Sequence, residues 1–230
     1  SPHFISLSSS ISDLMALKTG EQPSLRTLEE KIDAGNSVRE QYRKNGILAV
    51  DAIRKIRNAR AREHDDRKTE LPEDDGNKID QEDFPASKTA YIIRQLKNRD
   101  ELNLLKDIYG KQFIQISITQ DKTNRLELIA QRTRSEQPDL DNDAVEELAR
   151  KLIKRDESEE DNEFGQKLGK IFHLGDVFVN ASTEDTTTRI CRRFIRALFG
   201  KTNIAPERDE FGSYMAKAAA LRSVDLSRQV

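Results

Sequence analysis

Four arginines, Arg125, Arg132, Arg150 and Arg155, stand among acidic residues in the second half of the chain. Arginines on a lid can clamp a phosphate through paired hydrogen bonds and neutralise charge that develops during phosphoryl transfer. Beside glutamates the same residues also form ordinary surface ion pairs, and on residue types alone that second reading is the stronger. Two stretches imitate a phosphate-binding loop and fail as one. From Gly165 to Gly169 one residue too few separates the glycines, and Ile171 stands where Ser or Thr would hold magnesium. Gly200-Lys201-Thr202 has the right ending, but Ile195 takes the earlier glycine position and the motif follows a predicted helix instead of opening one. The zinc-deaminase signature, His-x-Glu followed by Pro-Cys-x-x-Cys, is also missing. His3, His64 and His173 are widely spaced, and His173 reads as a packed or capping residue. Cys191 lies beside apolar residues and reads as core.

The elements that would position such groups follow from periodicity. Ala90–Ile93 is short, apolar and β-prone. Leu102, Leu105 and Ile108 then recur at helical spacing up to Gly110, a helix stop, and Phe113–Ile118 alternates as a strand. A crossover of this length predicts parallel pairing of the two strands with a right-handed turn, hence an α/β fold. His3–Leu7 is a first strand. Ser10 or Ser12 caps a short helix, and Thr27 with Glu30 has capping-box spacing. After Asn45-Gly46 a helix is expected with Ile47, Val50, Ile53 and Ile56 inward and a solvated basic face of Arg54, Lys55, Arg57 and Arg60. Residues 61–87 are dense in charge, acidic on balance, and read as a flexible loop or linker.

Asp121 caps the next helix, which Gln137-Pro138 ends. Asn142 or Asp143 starts another, carrying Val145, Leu148, Leu152 and Ile153. A helix with Phe164, Leu168, Ile171 and Phe172 follows, then a short strand at Asp176–Asn180. Ile190, Phe194, Ile195, Leu198 and Phe199 form one face of a helix closed by Gly200. Pro206 suits the first turn of a last helix with Phe211, Tyr214, Met215, Ala218 and Leu221 inward.

The chain has 230 residues, 35% of them apolar and 35% charged, with a formal net charge of −2. This charge makes no case for nucleic-acid or membrane binding. One cysteine excludes an internal disulfide and a zinc site needing several thiolates from this chain. No apolar run is long enough to span a bilayer and no signal peptide is evident, so a cytoplasmic protein is expected. The start at Ser1-Pro2 and the end at Val230, inside a predicted helix, both read as cut.

Several short motifs occur in a specific order. Ile32-Asp33-Ala34-Gly35-Asn36 with Arg39 is followed by Lys88–Ile93, Leu96-Lys97, Asp100-Glu101, Leu104-Leu105 and Tyr109-Gly110. Leu152-Ile153, Arg155-Asp156-Glu157, Gly165-Gln166, Phe172-His173-Leu174 and Asp176–Val179 come next, then Pro206–Glu210, Leu221-Arg222-Ser223 and Asp225–Val230. This order resembles the two-domain deoxycytidylate deaminases of bacterial anti-phage defence, in which a P-loop kinase-like domain precedes a zinc-dependent deaminase domain. The resemblance implies a P-loop kinase-like three-layer fold with a parallel sheet over residues 1–200, lacking its first strand and phosphate loop, with 61–87 inserted. Residues 201–230 would be the first helix of the deaminase domain.

The implied parent hydrolyses deoxycytidine nucleotides to deoxyuridine nucleotides and so depletes a precursor of phage DNA. A zinc-bound water attacks C4 of cytosine there and a glutamate shuttles the proton. No residue of that catalytic or metal set lies in this chain, and zinc belongs to the implied deaminase domain. A homo-oligomer is expected, and ATP or another nucleotide is the ligand a kinase-like domain would sense. Arg39, Arg125, Arg155 and Gln166 are the candidate nucleotide or phosphate contacts. In the family an aspartate that could position magnesium usually follows the strand Tyr91-Ile92-Ile93. Here Arg94 stands there, and a cation cannot do this, which favours a regulatory role. Two alternatives remain open: a nucleoside or nucleotide kinase relative, and a non-catalytic module whose acidic insertion recruits a basic partner.

Overall fold

The computed structural model describes residues 2–21, 23–70, 89–157, 159, 162–201 and 203–221. They form an α/β protein rich in helix, with strands β1 (Pro2–Ser6), β2 (Ala90–Arg94), β3 (Ile116–Thr119) and β4 (Val177–Asn180). The helices are α1 (Leu7–Thr19), α2 (Leu28–Gln41), α3 (Ile47–Glu70), α4 (Arg99–Tyr109), α5 (Lys122–Glu136), α6 (Asn142–Glu157), α7 (Gly169–Phe172), α8 (Glu184–Leu198) and α9 (Arg208–Ala220). The chain divides within β4 into two compact units, Ser1–Phe178 and Val179–Val230. The expected boundary near residue 200 therefore falls inside the second unit.

Local signals set most helix ends. Thr27 accepts from the Glu30 N–H at 3.1 Å while Glu30 accepts from the Thr27 N–H at 3.0 Å, a closed capping box at the start of α2. Asn98 and Glu101 make the same arrangement at α4. Asp121 caps α5 through the Thr123 N–H at 2.8 Å, and the helix stops at Gln137. Gly110 and Gly200 close α4 and α8 with positive φ of 52° and 70°, which costs glycine least.

The strand pairing corrects the expected crossover. β2 pairs in parallel with β1, in the register Pro2 with Ala90 through Ser6 with Arg94, and β3 pairs with β4. The strand–helix–strand elements all form, but the two strands flanking α4 belong to different sheets. The parallel pair is instead β1 with β2, joined by a much longer connection that includes α1, α2 and α3. The core of the first unit lies between these helices and the β1–β2 sheet: Leu7, Ile11, Leu14, Val38, Leu48, Ala52 and Ile56 pack together, with Tyr91, Ile93 and Tyr109 against them.

Five further expectations shift. α1 begins at Leu7 with Ser6 as N-cap, earlier than Ser10 or Ser12. α3 buries Leu48, Ala49, Ala52 and Ile56, whereas Val50 is 37% exposed, so its inward face is rotated from the one expected. α3 also continues to Glu70, so the expected loop begins as helix; the rest of it, 71–87, lies outside the described residues. Between Phe164 and Phe172 the helix is limited to the single turn of α7. In the second unit, Ile195, Leu198 and Phe199 are exposed, as are Phe211, Tyr214, Met215 and Leu221, so the apolar faces of α8 and α9 are not buried as expected.

Candidate functional site

Three of the four candidate residues, Arg39, Arg155 and Gln166, meet in one polar network among α2, α4, α6 and the segment that follows α6. Arg39 is at its centre, and its side chain is 2% exposed. Its Nε and Nη2 both donate to Glu101 Oε1, at 3.3 and 2.9 Å, and Nη1 donates to Asn36 Oδ1 at 3.3 Å. Glu101 is fully buried. Its other oxygen accepts from the backbone N–H groups of Lys97 and Asn98, so one carboxylate both caps α4 and neutralises Arg39. An ion pair at this depth is tolerated only when its remaining donors and acceptors are also satisfied, and this one is well provided.

Asn36 extends the network. Its Nδ2 donates to Glu159 Oε2 at 2.8 Å. Glu159 also accepts from the Gln166 N–H at 3.0 Å and from Arg155 Nε at 2.9 Å, and Arg155 Nη2 reaches Asp33 at 2.7 Å. Lys97 pairs with Asp156, and the Lys167 N–H donates to the Lys97 carbonyl at 2.9 Å. Gly165 is required where the segment folds back: a Cβ there would lie 2.6 Å from Glu159 Cβ. Gln166 is buried, and its Oε1 has no protein partner among the described residues.

Burial alone would raise the pKa of Glu159, but the Gln166 N–H, Asn36 and Arg155 outweigh it and hold the carboxyl below the ordinary 4.5. Its contribution to stability is therefore complete above the unfolded-state pKa and is lost as pH falls through the folded one. The stability gap between the wild type and Glu159→Gln should narrow between about pH 5 and pH 3. Urea midpoints measured at each pH test this, and a gap that stays constant would show that the carboxylate charge contributes nothing. For Arg155, burial lowers the pKa, but Asp33 and Glu159 outweigh it and raise it, so the guanidinium stays charged.

The fourth candidate stands apart from this network in its contacts. Arg125 Nη2 pairs with Glu157 near the surface. Arg132 and Arg150 pair with Glu136 and Glu146 one helical turn away. Arg94 is exposed at the end of β2, with its guanidinium carbon 6.0 Å from the centre of the Phe4 ring. His3 lies 2.9 Å from Glu63, His173 is exposed at the end of α7, and Cys191 is half-buried on α8. Among the described residues, no group of three or more His, Cys, Asp or Glu side chains is placed to hold a metal ion. No helix among them is long and apolar enough to cross a membrane.

In the first unit, sequence reasoning missed a cluster at the carboxyl ends of β1 and β2. Gln95 takes a left-handed backbone, φ 75°, and its Oε1 accepts from Ser6 at 3.1 Å and from Ser8. Lys55 donates to Ser10 at 3.0 Å and pairs with Asp13 and Asp51. The run Ser8-Ser9-Ser10 after a strand was the available signal. Its partners lie far away in sequence and could not be foreseen.

No protein-family model, curated protein or solved structure matches the chain.

Proposed function

We propose that this chain is the nucleotide-sensing, kinase-like part of a zinc-dependent deoxycytidine nucleotide deaminase, and that it carries no phosphoryl-transfer chemistry of its own. The observation that carries this reading is the convergence of the short motifs on which the resemblance rests. Asp33, Asn36 and Arg39, then Lys97 and Glu101, then Arg155, Asp156 and Gln166 all enter the same polar network or flank it. Motifs scattered over more than a hundred positions would not converge in this way if each were an isolated surface feature. The parallel pairing of β1 and β2 suits a kinase-like scaffold. Arg94 after β2 offers no carboxylate for magnesium.

The network also argues for sensing over transfer. Arg39 is buried against Glu101 and Asn36, so it locks α2 to α4 and presents no exposed face to a phosphate. Arg155 keeps a solvent-facing edge, with its side chain 21% exposed, and is the network residue that can meet a ligand. Glu29, Asp33 and Glu159 surround it, so an incoming phosphate would compete with these carboxylates and report its arrival to α2 and to the segment holding Gln166.

The test uses the purified chain with dCTP, dCMP and ATP in separate titrations. Binding of at least one nucleotide is expected, weakened at least about fivefold (about 1 kcal/mol) by Arg155→Ala. Ammonia release from dCTP or dCMP, phosphate transfer from ATP, or one tightly held zinc per chain would each overturn the assignment. So would failure of all three nucleotides to bind at millimolar concentration.

A further inference from the structure

The second unit holds an arginine-lined groove that none of the chemistry above uses. Arg189, Arg192, Arg193 and Arg196 lie at i, i+3, i+4 and i+7 on α8, so they share one face, about 10 Å long. With Asn203 and the chain just after it they line a groove of about 640 Å³, and Asp185 is the one carboxylate among the described residues of that lining. The apolar residues of α8, Ile190, Phe194 and Leu198, fall on the opposite side of the helix.

Like charges one turn apart repel and weaken a helix unless an anion sits between them. For two of the arginines the chain supplies that anion. Arg189 pairs with Glu207 at 3.0 Å, and Arg193 holds Glu210 through both terminal nitrogens while Nη2 also donates to the Ala205 carbonyl at 2.6 Å. Arg193 is the largest influence holding the Glu210 carboxyl below its ordinary range. These contacts fasten the start of α9 to α8 and fix the groove wall. For Arg192 and Arg196 the described residues supply none. Arg192 has no hydrogen bond or ion pair among the described residues, and Arg196 has one long contact, 3.4 Å, to the neutral Asn203 amide oxygen.

We infer that the α8 groove binds a short phosphate chain, with Arg192 and Arg196 as its principal contacts. Two adjacent guanidinium forks suit an anion that carries more than one charge and several oxygens, which phosphate supplies and a single carboxylate does not. Among the described residues the groove lining contains no aromatic side chain on which bases could stack, and the whole chain carries a net charge of −2. Both features point away from a nucleic-acid strand and toward a small oligophosphate.

Inorganic tripolyphosphate is the probe, titrated calorimetrically into the full chain. Binding is expected, weaker at about 200 mM salt than at about 50 mM. The double variant Arg192→Ala/Arg196→Ala should weaken it at least about tenfold, and Arg192→Gln/Arg196→Gln, which removes the charge and keeps a polar side chain, should do the same. Arg150→Ala, which removes an exposed arginine of the first unit, should change it less than about twofold. Circular dichroism checks that each variant is folded. Undetectable binding at millimolar probe would overturn the inference, as would equal loss in Arg150→Ala. Binding of a single-stranded oligonucleotide or of anionic vesicles through these arginines, with tripolyphosphate inert, would also overturn it. Arg155→Ala should change tripolyphosphate binding less than about twofold, which separates this groove from the nucleotide contact proposed in the first unit.

Discussion

Glu101→Ala is expected to destabilise the first unit by about 3–5 kcal/mol, because it leaves the Arg39 guanidinium buried with its main partner gone. The same change removes the acceptor for the Lys97 and Asn98 N–H groups and opens the cap of α4. Glu101→Gln should cost less, since its amide oxygen can keep one of these two roles. The decisive comparison is the double variant Arg39→Met/Glu101→Leu. If the single substitution is costly because it strands a charge, then replacing both partners by apolar residues should recover most of the loss, although the cap stays open. If the double variant is no more stable than Glu101→Ala, the cap and not the ion pair dominates. Urea unfolding followed by tyrosine fluorescence suits the measurement, because the chain has no tryptophan and three of its four tyrosines, Tyr42, Tyr91 and Tyr109, lie in the first unit.

The second large effect concerns α3. Leu48→Ala is expected to cost about 2–5 kcal/mol, through lost burial and the cavity left behind, since Leu48 is 2% exposed within the main cluster. Val50→Ala, two residues along, should stay within about 0.5 kcal/mol. The same urea titration measures both. Comparable losses for the two would mean that α3 packs on the face first expected from the sequence, and would put the placement of the whole helix in question.

This pair of residues shows how far periodicity reaches. Ile47, Val50, Ile53 and Ile56 make a regular apolar stripe, and Leu48, Ala49 and Ala52 make another beside it. Spacing alone cannot choose between adjacent stripes on one cylinder. The choice falls to the small residues, because Ala49 and Ala52 allow close approach, and both are completely buried. The arginines behave in the same way. Arg39 and Arg155 were legible as candidates, but what they do depends on Glu101, Asn36, Glu159 and Asp33, which reach them from up to 122 positions away. The four arginines of α8 were not singled out at all, although their spacing was in view. The stripe stood out only once Glu207 and Glu210 were seen to neutralise half of it.

Local chemistry was therefore decided by the sequence. The capping boxes at Thr27 and Asn98, the Asp121 cap and the stops at Gly110, Gln137 and Gly200 involve groups within a turn of one another. Their geometry is set locally, although Glu101 of the α4 box also carries the long-range pair with Arg39. Strand partnership was decided by the tertiary structure. Ala90–Arg94 and Ile116–Thr119 read correctly as strands, yet each pairs with a partner more than fifty residues away, β1 for the first and β4 for the second. A strand's hydrogen-bonding edge is the same for every candidate partner, so pairing is chosen by what packs on the faces. Here that is the helical layer of α1, α2 and α3 over β1 and β2. α4 packs on α3 and brings Glu101 to Arg39 of α2, so the buried guanidinium takes its counter-charge from a helix outside this layer.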